Sequence, residues 1–148
     1  MPVPLHRIVH IAISSVVVAI ALIGCAPRGP VWLDNGAVYS SGSVGALIDA
    51  ADTTRLVDRP TSDAPRLRHT ALTELRKDSE AAALAANLLT DTFEPTTRGV
   101  PVYVERASVD GTAAVIVVEA TGPKSGKLSA KRLWVLSEDG DVILARSR

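Results

Sequence analysis

Two Asp-Gly dipeptides, each set between runs rich in valine and leucine, leave the C-terminal third of this chain few ways to fold. An Asp-Gly pair favours the type I′ turn of a β-hairpin, in which both loop residues take positive φ. The turn at Asp110-Gly111 pairs Val109 with Thr112 and, further along, Tyr103 with Val118. With a longer turn over 122–127 and a second tight turn at Asp139-Gly140, the pattern predicts four antiparallel strands, over 100–109, 112–121, 128–137 and 142–146.

The segment before these strands has the pattern of an amphipathic helix. Residues 66–93 contain no glycine or proline, and apolar residues recur at helical spacing, among them Leu67, Ala71, Leu75, Ala85, Leu88, Leu89 and Phe93. Asp63 is the candidate N-cap, with Pro65 in the first turn. The sequence is compatible with one long helix, or with a helical hairpin broken at Asp78-Ser79, where Ser79 would cap the second helix.

Helices followed by an antiparallel meander make an α+β fold, and we assign it to residues 66–148. Residues 31–65 are expected to form an N-terminal segment. Its predicted parts are a strand over 31–33, a turn at Asp34-Asn35-Gly36, a strand over 37–39 that pairs back on the first, and a helix over 44–51 capped by Ser43. The overall plan resembles the cystatin-like and nuclear-transport-factor-like folds, in architecture only.

The N-terminus has the pattern of a secretion signal. One arginine, Arg7, precedes an apolar stretch from Ile8 to Ile23, and the stretch ends in Leu22-Ile23-Gly24-Cys25. These four residues resemble the lipobox of bacterial lipoproteins. The resemblance implies cleavage between Gly24 and Cys25, so that residues 1–24 are the signal peptide. It also implies a diacylglyceryl group, carrying fatty acids such as palmitate, on the Cys25 thiol.

Lipidation of Cys25 would place the protein on the cell membrane, lipid-anchored and facing outside the cytoplasm, with residues 25–30 as a tether. Each buried CH₂ contributes roughly 0.8 kcal/mol, and two long acyl chains anchor a protein durably. The alternative is an uncleaved transmembrane helix over residues 8–26, which is just long enough to span a bilayer.

The rest of the sequence lacks the motifs of common enzymes and cofactor sites. The formal charge is zero, which argues against a nucleic-acid partner, and the single cysteine cannot form an intramolecular disulfide. There is no Gly-x-Ser-x-Gly, no His/Cys cluster and no glycine-rich phosphate loop. We therefore predict no catalytic residue, no metal and no cofactor.

A few residues are candidates for weaker roles. His69 is expected on the helix surface, and Glu138, Asp139 and Asp141 are expected in a polar turn rather than a calcium site. Lys124, Lys127, Lys131 and Arg132 form a local basic patch, read as solvation or as a contact for an anionic lipid or polymer. Arg132 is predicted opposite Val117 and diagonal to Glu119, as a cross-strand ion pair, and Tyr103 and Glu105 are predicted to share one face.

Both faces of the predicted sheet are apolar. One face would carry Tyr103, Ala107, Ile116, Leu133 and Leu144. The other would carry Val100, Val102, Val104, Val115, Val117, Trp134, Leu136 and Ile143. An antiparallel sheet with one wet face should instead alternate apolar and polar residues. We therefore expect incomplete cover within the chain, and an interface with a protein partner or a second copy through Val115, Val117, Trp134 and Leu136.

Three functions remain open from the sequence. The first is a non-catalytic, membrane-anchored lipoprotein of the cell envelope that binds or supports a partner. The second is a small-molecule or lipid carrier with a cavity under the sheet. The third is an envelope enzyme with an unrecognised pair of acids.

Overall fold

A computed structural model describes residues 29–148 as an α+β fold, as the sequence predicts. The helices are α1 (Ala46–Ala50), a 3₁₀ turn (Thr61–Asp63), α2 (Ala64–Leu75) and α3 (Glu80–Thr92). The strands are β1 (Val31–Leu33), β2 (Val38–Tyr39), β3 (Val100–Val109), β4 (Thr112–Thr121), β5 (Ala130–Ser137) and β6 (Val142–Ser147). Strands β3 to β6 pair antiparallel in sequence order, and β1 and β2 both pair with β3.

The first hairpin has the predicted turn. Asp110 has φ of 48° and Gly111 has φ of 81°, as a type I′ turn requires. The predicted pairs Val109–Thr112 and Tyr103–Val118 are both present.

The later turns differ from the sequence prediction in length. β5 starts at Ala130, and Glu119 therefore lies opposite Arg132, two residues from the predicted register. A shift of two residues keeps every side chain on its predicted face, because the side-chain period of a strand is two. The last turn has four residues, Glu138 to Asp141: the Gly140 amide donates to the Ser137 carbonyl, and Gly140 alone of the four has positive φ.

Strands β1 and β2 do not form the predicted hairpin. Both run parallel to β3, with Val31 opposite Tyr103 and Tyr39 opposite Val109. The bend at Asp34–Gly36 takes up two extra residues rather than reversing the chain, so β1 and β2 act as one interrupted edge strand. The N-terminal segment is therefore part of a mixed, six-stranded sheet.

Helix 66–93 is broken in two, and Ser79 marks the second start. Its backbone is extended, and its hydroxyl accepts a hydrogen bond from the Ala82 amide at 3.1 Å. Asp63 occupies the N-cap position of α2 without a side-chain cap bond. The predicted cap of α1 is wrong: Gly45 is its N-cap, and the Ser43 hydroxyl accepts from the Ser40 amide instead.

The sheet separates two apolar cores. The first face packs against α1 and against Ala64 and Ala71 of α2, through Val44, Ile48, Ile116 and Leu133. The second face packs against the C-terminal end of α2 and against α3, through Leu75, Ala82, Ala86, Leu89, Val117 and Leu136. Each apolar face is thus covered by helices of the same chain.

A bulge changes the faces at the start of β3. Pro101 pairs with Glu119 and Tyr103 pairs with Val118, which leaves Val102 without an opposite residue. Val100 and Val102 therefore belong to the first core, while Val104 stays in the second. The predicted placement of all three valines on one face is wrong for this reason. A second bulge beside Val135 and Leu136 likewise removes Ile143 from the pairing of β6.

Three of the four residues expected at an interface are buried inside the protein. Val115, Val117 and Leu136 lie in the second core, at most 5% exposed, because α3 covers them. Trp134 is half-buried at the edge of this core. The apolar patch that we expected to be open is covered by the chain itself, because α2 packs on both faces and α3 packs on the second face.

Candidate functional site

The first buried polar cluster is built around Glu105. Glu105 and Tyr103 lie two residues apart on β3 and so share the first face, as predicted, and β2 brings Tyr39 beside them. The Tyr103 hydroxyl donates to Glu105 Oε2 at 2.6 Å, and the Tyr39 hydroxyl donates to the same oxygen at 3.0 Å. Glu105 is 0% exposed, and its Oε1 has no hydrogen-bond partner among the described residues.

Both tyrosines are affected by this placement. Burial raises the pKa of Tyr103, and its hydrogen bond to Glu105 and the charge of Glu105 raise it further. The same causes, in the same order, raise the pKa of Tyr39. The two phenols therefore stay protonated and hold β2 against β3 through one carboxyl group.

The second cluster joins a buried ion pair to an aromatic pair on the opposite face. Arg68 of α2 forms a charge-assisted hydrogen bond with Glu119 of β4, and both side chains are at most 5% exposed. Arg68 also donates to the carbonyls of Gly99, at 2.9 Å, and Leu89, at 3.3 Å. The Trp134 indole donates to the second oxygen of Glu119 at 2.9 Å. All polar atoms of Glu119 thus have donors, as a buried carboxylate requires.

Aromatic contacts complete this cluster. The rings of Phe93 and Trp134 are 5.2 Å apart between centroids, and the Arg68 guanidinium carbon lies 5.1 Å from the centroid of Phe93. Arg132 lies over Trp134 at 5.4 Å and forms a cation–π contact there. The predicted Glu119–Arg132 ion pair is wrong, because Arg68 reaches Glu119 from the helix.

The other candidate residues stay apart. His69 is exposed on α2, and Glu138, Asp139 and Asp141 lie in the exposed last turn. Across residues 29–148 no group of three or more metal-ligating side chains is close enough to hold an ion. Of the basic patch, Lys127 pairs with Asp58 at 3.2 Å and Lys131 donates to the Ala51 carbonyl at 2.6 Å.

A surface groove is a further feature that sequence reasoning did not identify. We call it the arginine groove: a concavity of about 360 Å³ with Arg55, Arg59, Arg66 and Thr70 among its polar lining and Leu56, Leu67, Ala71, Val100, Pro101 and Val102 among its apolar lining. It lies at the first residues of β3, where the Val102 bulge turns two valines to the same face. Gly29, where the described chain begins, also lines it. The sequence feature that could have indicated this groove is the presence of three arginines within residues 55–66.

The expected lipidation and cleavage sites, Cys25 and Gly24, lie outside the described residues. Among the helices of the described part, none is long and apolar enough to cross a bilayer.

Comparison of the chain with protein-family models, with curated proteins and with solved structures finds no match.

Proposed function

We propose that this protein is a membrane-anchored lipoprotein of the cell envelope, held by a diacylglyceryl group on Cys25, that binds or supports an envelope partner without catalysis. The observation that carries the proposal is Leu22-Ile23-Gly24-Cys25 at the end of an apolar stretch.

The placement of the two buried acids supports a non-catalytic role. Glu105 lies on the first face of the sheet and Glu119 on the second, so the sheet separates them. An acid pair in general acid–base catalysis must converge on one substrate in a cleft. Each of these carboxyl groups is closed off from solvent and accepts hydrogen bonds from neighbouring side chains instead.

The packing of the sheet supports binding over transport of a cargo. Ala82, Ala86 and Leu89 of α3 are fully buried in one core with Val117 and Leu136. A carrier of the kind considered from the sequence needs a cavity between helix and sheet. Small alanines on α3 let the helix approach the strands closely along this core. The concavity that remains between α3 and the sheet, about 440 Å³ beside Leu88, Arg106 and Val115, is open to solvent rather than enclosed.

The anchoring test is the substitution Cys25→Ala, followed by metabolic labelling with palmitate. We expect the wild-type protein and the control Ser15→Ala to incorporate label and to appear as the shortened mature form. Cys25→Ala should incorporate none and remain as the uncut precursor. Mature protein of unchanged mobility that still partitions into detergent after Cys25→Ala would refute the proposal.

The partner is proposed to contact the exposed edge of Trp134, either as a different envelope protein or as a second copy. Chemical crosslinking of the protein in intact membranes tests the second-copy version. A crosslinked dimer that is lost in Trp134→Lys and kept in the exposed control Lys124→Ala would support it. A wild-type protein that gives only monomer would remove the homodimer from the proposal.

A further inference from the structure

The position of Gly29 limits where a lipid on Cys25 can lie. Gly29 is packed against the last turn of α2, since a Cβ built on it would be 2.9 Å from Glu74 Cβ. Four residues of extended chain span at most about 14 Å. Because Gly29 also lines the arginine groove, a membrane that holds Cys25 lies within that reach of the groove.

The groove has two kinds of surface. Its apolar lining comes from a helix and from the sheet: Leu67 lies on α2, and Val100 and Val102 lie on β3. Its polar lining consists of arginines and a threonine. Arginine presents a planar fork of donors that matches phosphate oxygens in a bidentate geometry. A phosphate ester attached to an apolar body is the ligand chemistry that fits both surfaces.

The charge around the groove is positive. Among its described lining residues there are three arginines and no acid. Asp63 pairs with Arg59 at 2.9 Å and with Arg66 at 3.3 Å, so one carboxylate serves two guanidinium groups. The charge of Arg55 helps to lower the pKa of Asp52, after the stronger effect of hydrogen bonds from Thr54. One carboxylate against two guanidinium groups leaves the Arg59–Arg66 part of the groove with one positive charge.

The geometry points to the arginine groove as a binding site for the headgroup of an anionic phospholipid in the membrane that carries Cys25. This inference rests on the lipid anchor proposed above and extends it, because it gives the domain a defined face toward the bilayer. The acyl chains on Cys25 supply attachment, and the groove supplies orientation and a preference for anionic lipid. Each basic residue at an anionic surface adds about 1 kcal/mol, or about fivefold in affinity.

The experiment compares the full lipidated protein in nanodiscs of phosphatidylcholine alone and of phosphatidylcholine with phosphatidylglycerol. Hydrogen–deuterium exchange is followed in the segments that line the groove, 55–59, 66–71 and 100–102. We expect exchange at least about tenfold slower with phosphatidylglycerol, and loss of this difference at high salt, which screens exposed charges. The test variant replaces Arg55, Arg59 and Arg66 with glutamine. The matched control replaces Arg76, Arg106 and Arg148, which do not line the groove.

The control variant should keep the lipid-dependent protection, and the groove variant should lose it. Equal exchange in the two kinds of nanodisc would overturn the inference. Mass spectrometry of the same samples separates this result from the proposed function. A diacylglyceryl group on Cys25 without lipid-dependent protection overturns the groove alone, whereas unmodified Cys25 overturns the lipoprotein proposal.

Discussion

At the scale of single residues, Glu105 determines the behaviour of every tyrosine in the protein. The chain has two tyrosines, Tyr39 and Tyr103, and both donate to the same oxygen of Glu105. Their phenolate absorbance therefore reports this cluster without background. We expect the native protein to titrate above the usual tyrosine pKa of about 10, because burial and Glu105 raise the pKa of both groups.

The sign of the linked effect on stability follows from the same shift. A folded-state pKa above the unfolded value means that the contribution of the phenols is fully present below about pH 10 and is lost as the pH rises further. Tyr103→Phe should make stability less sensitive to pH in that range. A native titration that coincides with the titration in denaturant would contradict the burial of the cluster.

The Arg68–Glu119 pair gives a second prediction at this scale. Arg68→Met leaves the Glu119 carboxylate buried without a cation, and we expect a loss of about 3–5 kcal/mol in the free energy of unfolding. Arg148→Ala removes an exposed ion pair with Asp49 and should cost at most about 1 kcal/mol. Denaturant unfolding measures both. Equal losses in the two variants would mean that solvent reaches Glu119.

The sequence predicts residue contacts only within the sheet. Alternation places Tyr103 and Glu105 on one face, because a strand has a period of two. Alternation also pointed from Glu119 to Arg132, its neighbour on the next strand. The real partner, Arg68, lies 51 residues earlier on a helix. Nothing in local spacing specifies which helix turn will cross a given strand, so this pair could not be predicted.

At the scale of elements, the Asp110-Gly111 turn holds the register of the longest hairpin. Valine at 111 would have to keep the positive φ of the glycine, which is strained for a β-branched residue. We expect Gly111→Val to lower the free energy of unfolding by about 1–3 kcal/mol. The control Ala113→Val is an exposed strand position and should cause no comparable loss. A neutral Gly111→Val variant would exclude the type I′ turn.

The elements that were predicted correctly are those with local signals. The Asp-Gly turn and the Ser79 cap are specified by residues within four positions of where they act. The partner of β1 is not specified in this way. Short strands around Asp34-Asn35-Gly36 look like a hairpin, but a two-stranded ribbon of this length is only marginally stable, and the long edge of β3 offers more pairing.

At the scale of the whole molecule, the unexpected feature is that one short chain covers both faces of its sheet. The sequence showed two apolar faces and one helical region. The break at Ser79 resolves the problem, since α2 contacts the first core through Ala64 and Ala71 and the second through Leu72 and Leu75, while α3 packs on the second core alone. Arg68 lies in the middle of α2 and forms its buried ion pair with Glu119 beside the second core.

This arrangement makes the two cores parts of one cooperative unit. They share the strands β3, β4 and β5, whose residues alternate between them, so loss of the sheet opens both cores. The tryptophans and the tyrosines lie on different cores, so each residue type is a spectroscopic probe of one core. Trp32 and Trp134 both pack on the second core, and Tyr39 and Tyr103 both pack on the first.

Unfolding of the protein in denaturant should therefore give one midpoint from tryptophan fluorescence and the same midpoint from tyrosine absorbance. Coincidence of two probes is the usual test of a two-state transition, and here each probe reports a different side of the sheet. Arg68→Met serves as the stringent case, because it weakens the residue that links α2 to β4, and it should move both midpoints together. Separate midpoints in the wild-type protein would contradict this. They would mean that the layer formed by α1 and β2 detaches from the first face of the sheet while the second core, with α3, stays folded.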